Sequence, residues 1–166
     1  MARPFSATDA KRIIERHQNI IEKLNNAVSS VEKYNTKAKE ASNALVAQEV
    51  LKVLSDIPIE EINRDKRGIR VKALRDYGYR TIADISTASV YSIASVHGIS
   101  EDAAYSIKSI VNDIVSKARQ GVKIRLSTDN RSREATALVL ALSQYRRSQK
   151  VADECRQLLN KNKQTI

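Results

Sequence analysis

The sequence predicts an all-α fold, a five-helix tandem unit inserted between two long heptad-patterned helices. Three observations carry that prediction. Between Phe5 and Ile57 there is neither glycine nor proline, while apolar residues recur at alternating spacings of four and three. The middle of the chain twice writes apolar segment, glycine, apolar segment, around Gly78 and Gly98. Val122-Lys123-Ile124-Arg125-Leu126 alternates apolar and basic, and reads as an extended connector or a lone strand with no second strand to pair with.

Taken in order, residues 6–55 form the first long helix. Ser6 with Asp9 three residues later gives its start as a capping box. Ile13, Ile20, Leu24, Ala27, Val31, Tyr34, Ala38, Ala41 and Leu45 make a coiled-coil-like seam that expects a partner helix, with His17 the polar member that would set register. Asn35-Thr36 favours helix least and marks where a break would fall. Pro58 suits the first position of a short helix to Ile62. Further helices are expected at about 69–77, 81–86, 88–96 and 100–119, so that 56–121 is one compact domain closed by Gly121. Gly78 and Gly98 each follow an apolar-periodic segment, where a left-handed residue ends a helix cheaply. Thr81 and Ser100 then stand at N-cap positions, Thr81 with Asp84 completing a box. Residues 122–131 read as an extended connector running into the polar loop Ser127–Ser132. Residues 132–160 read as a helix that pairs antiparallel with the first through Ala135, Leu138, Leu142, Tyr145, Ala152 and Leu159, with Gln149 in the seam. Residues 161–166 read as a frayed tail.

The two hairpins, Tyr77-Gly78-Tyr79 with Thr81-Ile82-Ala83-Asp84-Ile85 and His97-Gly98-Ile99 with Ala103 and Ile107, resemble the tandem helix-hairpin-helix domain of DNA-repair and DNA-processing proteins. The resemblance covers about a third of the chain. It implies a phosphate grip by turn amides and the following helix N-terminus. It also implies an accessory region, such as the N-terminal module of a larger bacterial DNA-processing protein like a helicase.

Composition agrees with a polyanionic partner. Lys and Arg number 29 against 19 acids, a formal charge of +10. Only 4% of residues are aromatic and tryptophan is absent, which disfavours base-stacking single-strand binders. Charge is concentrated at Arg64, Lys66, Arg67, Arg70, Lys72, Arg75 and Arg80, ahead of an acidic second half holding Glu101, Asp102 and Asp113. The first hairpin is therefore the expected site, with Arg67, Arg70, Lys72, Gly78, Tyr79, Arg80 and Thr81 on the phosphates. At the second, Ser100 stands where the family has glycine, and the carboxylates of Glu101 and Asp102 compete with phosphate for the helix-start amides. That hairpin reads as structural. A basic helix face is also what a merely solvated surface looks like, and the second cluster (Lys123, Arg125, Arg131 and Arg133, with Arg146, Arg147 and Lys150) has no motif behind it.

Enzymatic chemistry is not expected. None of the four glycines precedes Lys-Ser or Lys-Thr, so there is no phosphate-binding loop of the Walker type. His17, His97 and the lone Cys155 make no zinc set, and no cofactor is expected. Cys155 falls in an apolar-periodic helix and reads as a packing residue. No apolar run is long enough to span a bilayer, and Met1–Phe5 lacks a signal-peptide core, so the expectation is a cytoplasmic protein. Its expected partner is duplex or branched DNA, bound without sequence preference, with RNA not separable from DNA. The alternative is a helical interaction scaffold, a homodimer or a dock for another protein, in which the hairpins only pack.

Overall fold

The computed structural model describes residues 5–127 and 129–164. The described residues are helical or irregular, with no strand among them beyond one isolated antiparallel bridge, Pro58 to Thr81. The order is α1 (Ala7–Ser55), a 3-10 turn (Ile59–Asn63), α2 (Val71–Tyr77), α3 (Ile82–Thr87), α4 (Val90–Ala94), α5 (Glu101–Gly121) and α6 (Arg133–Gln164). Met1–Pro4, read from sequence as lacking a signal-peptide core, and the end of the expected tail, Thr165 and Ile166, lie outside the described residues, as does Thr128 of the loop.

Local chemistry explains the boundaries. The Ser6 hydroxyl accepts the Asp9 amide at 3.3 Å while Asp9 accepts the Ser6 amide at 3.1 Å, so α1 starts at a reciprocal box. Asn35-Thr36 does not break it: low propensity costs a few tenths of a kcal/mol per residue, roughly, too little to interrupt a long helix without Gly or Pro. Pro58 stands at the N-cap of the 3-10 turn, in extended conformation, instead of inside a helix. Ser89 and Ser100 cap α4 and α5 through the amides of Ser92 and Ala103 at 3.0 and 3.2 Å. Helix α5 runs through Gly121, and the connector after it has no strand partner. At its far end α6 continues through Gln164, past the expected limit at 160.

The chain divides into two compact units. One is continuous, Asn43–Asn130, and so starts inside α1. The reason is that Val50 and Leu54 of α1 are buried in the same core as Ile59, Ile62, Leu74, Ile82, Ile85, Ile93, Ile107 and Val111. Apolar burial of that density supplies most of a small unit's stability, roughly 1.5–3 kcal/mol for each fully buried aliphatic side chain. The backbone ties the first hairpin to the 3-10 turn: the Ile59 amide donates to the Arg80 carbonyl and the Ile82 amide to the Ile57 carbonyl, both at 3.0 Å.

Lys108 on α5 provides the other tie. Its ammonium donates to the carbonyls of Ile85, Ser86 and Ala88 at 3.0, 2.7 and 2.6 Å, closing the end of α3 and the turn into α4. Burial pushes its pKa below the usual lysine value.

The other unit holds residues 1–42 and 131–166. Its helices share a groove lined by Ser30 and Tyr34 of α1 and Gln144, Arg147, Ser148 and Val151 of α6. On α6 the covered face runs through Ala135, Leu138, Tyr145, Ser148, Ala152 and Cys155, all buried or half-buried. Two expected seam positions are corrected. Leu142 is exposed, and Gln149 is exposed while Ser148 takes the inward place, its hydroxyl satisfied by the Tyr145 carbonyl at 2.7 Å. Cys155 is buried and free of any disulfide. On α1 the seam is half-buried or buried from Leu24 to Leu45, whereas Ile13, His17 and Ile20 are exposed, so His17 sets no register within this chain.

Candidate nucleic-acid interface

Around the first hairpin the backbone amides of Gly78 to Ile82 are all used within the chain. Gly78, at φ 121°, donates to the Arg75 carbonyl at 3.0 Å, and Tyr79 donates to the Leu74 carbonyl at 3.0 Å. The amides of Arg80 and Thr81 both donate to Oδ2 of Asp84 at 2.8 Å, and the Thr81 hydroxyl accepts the Asp84 amide in return. The Arg80 amide, followed by the bonds from Thr81, holds the Asp84 carboxyl below the usual carboxylate range although burial opposes the shift. The four amides expected from sequence to face a phosphate, those of Gly78, Tyr79, Arg80 and Thr81, are therefore all bonded within the chain. Tyr79 is half-buried against the Tyr77 ring, centroids 5.4 Å apart, and burial raises its phenol pKa, with smaller contributions from Tyr77 and Asp84. It belongs to packing.

The basic side chains divide. Arg64, Arg67 and Arg75 are tied to Glu61, Asp65 and Glu60 respectively. Such exposed pairs are worth little and give way readily to a phosphate. Arg70 and Lys72 have no ion pair among the described residues, and Arg80 is exposed. Arg70 does not serve the hairpin that follows it in sequence. Its guanidinium lies over Gly98 of the second hairpin: a Cβ built on Gly98 would stand 2.9 Å from Nη1 of Arg70. Gly98 has φ +86°, so hydrogen at that position serves both the turn and the approach of the arginine.

Here the second hairpin, assigned from sequence to packing alone, acquires what the first lacks. A groove of about 400 Å³ is lined by Arg67, Gly68, Arg70, Gly98, Ser100 and Ser106, among others. Among the described residues the amides of Gly98, Ser100, Glu101 and Asp102 make no hydrogen bond to the protein, since Ser100 caps Ala103 and the helical ladder starts at Ala104. The carboxylates of Glu101 and Asp102 stand exposed in the first turn of α5, where they complement the helix end. Arg67 and Arg70 were legible as basic residues. Their arrival in one groove with Gly98 was not, because 31 and 28 positions separate them from it in the chain.

The second basic cluster is not one patch of one unit. Lys123 and Arg125 are exposed on the connector of the continuous unit, while Arg131 and Arg133 are exposed in the other. No group of three or more His, Cys, Asp or Glu that could hold a metal occurs among the described residues, and His17 and His97 are both exposed. Among the described residues no helix is long and apolar enough to cross a membrane. No protein-family model, curated protein or solved structure matches this sequence.

Proposed function

We propose that the continuous unit is a sequence-independent DNA-binding module, an accessory to DNA processing with no active site of its own. It grips the phosphate backbone of duplex or branched DNA at the second hairpin, with Arg67 and Arg70 from the loop ahead of α2. In this reading the 3-10 turn and α2–α5 are a tandem helix-hairpin-helix arrangement, and α1 and α6 pair antiparallel along their seams. The observation that carries it is the approach of Arg70 to Gly98 beside open amides at Ser100, Glu101 and Asp102. Backbone donors and a guanidinium around one anion-sized place form a phosphate site that reads no base. Lys72 and Arg80 extend the positive surface, and Lys123 and Arg125 belong to the same unit. Asp84, by accepting the Arg80 and Thr81 amides of the first hairpin, leaves one grip instead of two.

The test is fluorescence anisotropy with duplex DNA over a salt series. Wild type is expected to bind with a steep negative dependence on salt. Arg67→Ala/Arg70→Ala is expected to reduce the logarithmic slope by about 2, as the loss of two phosphate contacts requires. Gly98→Ala, which displaces Arg70 and strains a left-handed turn, is expected to weaken binding, whereas Arg80→Ala costs less. Absence of binding at low salt, with the fold intact by circular dichroism, would overturn the reading. A matched RNA duplex in the same titration separates DNA from RNA as target.

A second reading has its own observation. Ile13, Ile14 and Ile20 on α1, and Leu140, Val151 and Leu158 on α6, are exposed, so the two-helix unit leaves apolar surface for another protein chain. This interaction role does not exclude the first, since it uses the other unit.

A further inference from the structure

Between Arg80 and Lys108 this otherwise basic chain holds no lysine or arginine. That stretch builds a pocket of about 350 Å³ between α4 and α5, lined by Val90, Tyr91, Ala94, Ser95, Glu101 and Tyr105. Tyr91 is 84% exposed and Tyr105 58%, so two tyrosines line it while most of their surface stays open to solvent. Glu101 and Tyr105, four positions apart on α5, share one face of that helix. The Ser95 hydroxyl donates to the Ser92 carbonyl at 2.8 Å, which leaves the two phenols and the Glu101 carboxylate as the side-chain polar groups open to a ligand. Glu101 has no ion pair among the described residues. We propose that this pocket binds an arginine side chain of another protein, laid against the tyrosine rings with its guanidinium on the Glu101 carboxylate.

The chemistry of the lining identifies the occupant. The faces of tyrosine rings attract a cation, and a planar guanidinium stacks on them while its parallel N–H groups pair with a carboxylate. Val90 and Ala94, half-buried on α4, offer apolar surface to the methylenes of the same side chain. Charge supports the assignment. A formal charge of +10 repels basic segments in general, so a place that accepts one needs a carboxylate without a partner and no lysine or arginine in its walls. Lys108, the next basic residue along α5, does not line the pocket, and its ammonium is held by the carbonyls of Ile85, Ser86 and Ala88. The pocket shares no lining residue with the groove at the second hairpin, and the helical period sets Glu101 and Tyr105 away from Ala103, Ser106 and Ile107, which line that groove. The inference is therefore independent of the nucleic-acid reading, and a bound protein partner leaves the phosphate groove open.

The test is a proton–nitrogen correlation NMR titration of the full chain with the capped tripeptide Gly-Arg-Gly, beside the same peptide with citrulline for arginine, which keeps the shape without the charge. Saturable shifts at Tyr91, Ser95, Glu101 and Tyr105 are expected with the arginine peptide, and binding weaker by about fivefold or more with citrulline. Tyr91→Leu and Glu101→Gln, both at exposed positions, are each expected to weaken the arginine peptide about threefold to fivefold while the rest of the spectrum is unchanged. Absence of saturable shifts at millimolar peptide overturns the proposal. Equal affinity for citrulline overturns it too, since shape without charge is then enough. Wild-type affinity in either variant also overturns it, by placing the peptide elsewhere.

Discussion

Replacing Lys108 by methionine is expected to destabilise the continuous unit by about 3 kcal/mol, from the loss of three charge-assisted hydrogen bonds and incomplete rehydration of the carbonyls left behind. Methionine preserves most of the packing of the stem, so the loss isolates the ammonium. The carbonyls of Ile85, Ser86 and Ala88 converge on one point, a geometry that a compact, rotatable ammonium satisfies. Lys108→Arg is accordingly expected to recover less than half the loss, because a planar fork directs its donors apart. Urea denaturation monitored by circular dichroism measures both variants. A midpoint for Lys108→Met within error of wild type would show that water replaces the ammonium at no cost.

The second large effect is at Asp84. Asp84→Ala removes the acceptor for two amides at 2.8 Å and is expected to cost about 2–3 kcal/mol, more than a typical N-cap because the acceptor is charged. Its pH dependence has a definite sign. The folded carboxyl is held below its ordinary value, so its contribution is complete above the unfolded-state pKa of about 3.9 and is lost as pH falls through the lower folded value. Wild type should therefore lose stability on acidification below about pH 4 in a step that Asp84→Asn lacks. Parallel acid profiles for the two proteins would place the acid sensitivity elsewhere.

The contrast between these two residues shows what can be read from a linear chain. The pairing of Thr81 with Asp84 is local, three positions apart, and its capping role was legible. The consequence was not: the same carboxylate also takes the Arg80 amide, so that two amides of the first hairpin converge on one side-chain oxygen. Lys108 gave no signal, because the carbonyls it binds lie 20 to 23 positions earlier and carbonyls have no sequence signature. The long helices were legible from spacing and from the absence of Gly and Pro, but the inward face of α6 was read one position off at Gln149. A repeat of 3.5 and a helix of 3.6 residues per turn drift apart, and over several turns neighbouring positions exchange roles. Only packing decides between Ser148 and Gln149.

The order of units along the chain bears on how the molecule assembles. The continuous unit, Asn43–Asn130, closes through neighbours in sequence, whereas the partners in the other unit flank it on both sides. Joining those flanks as free coil would carry a closure entropy that grows with the logarithm of the intervening length. Once the intervening stretch has folded, that length is largely removed, and the remaining search is shorter. Refolding is thus expected to proceed from the middle outwards, with burial at Cys155 lagging the hairpin core. Thiol-labelling of this single cysteine during refolding supplies a clock for the last step without any added probe.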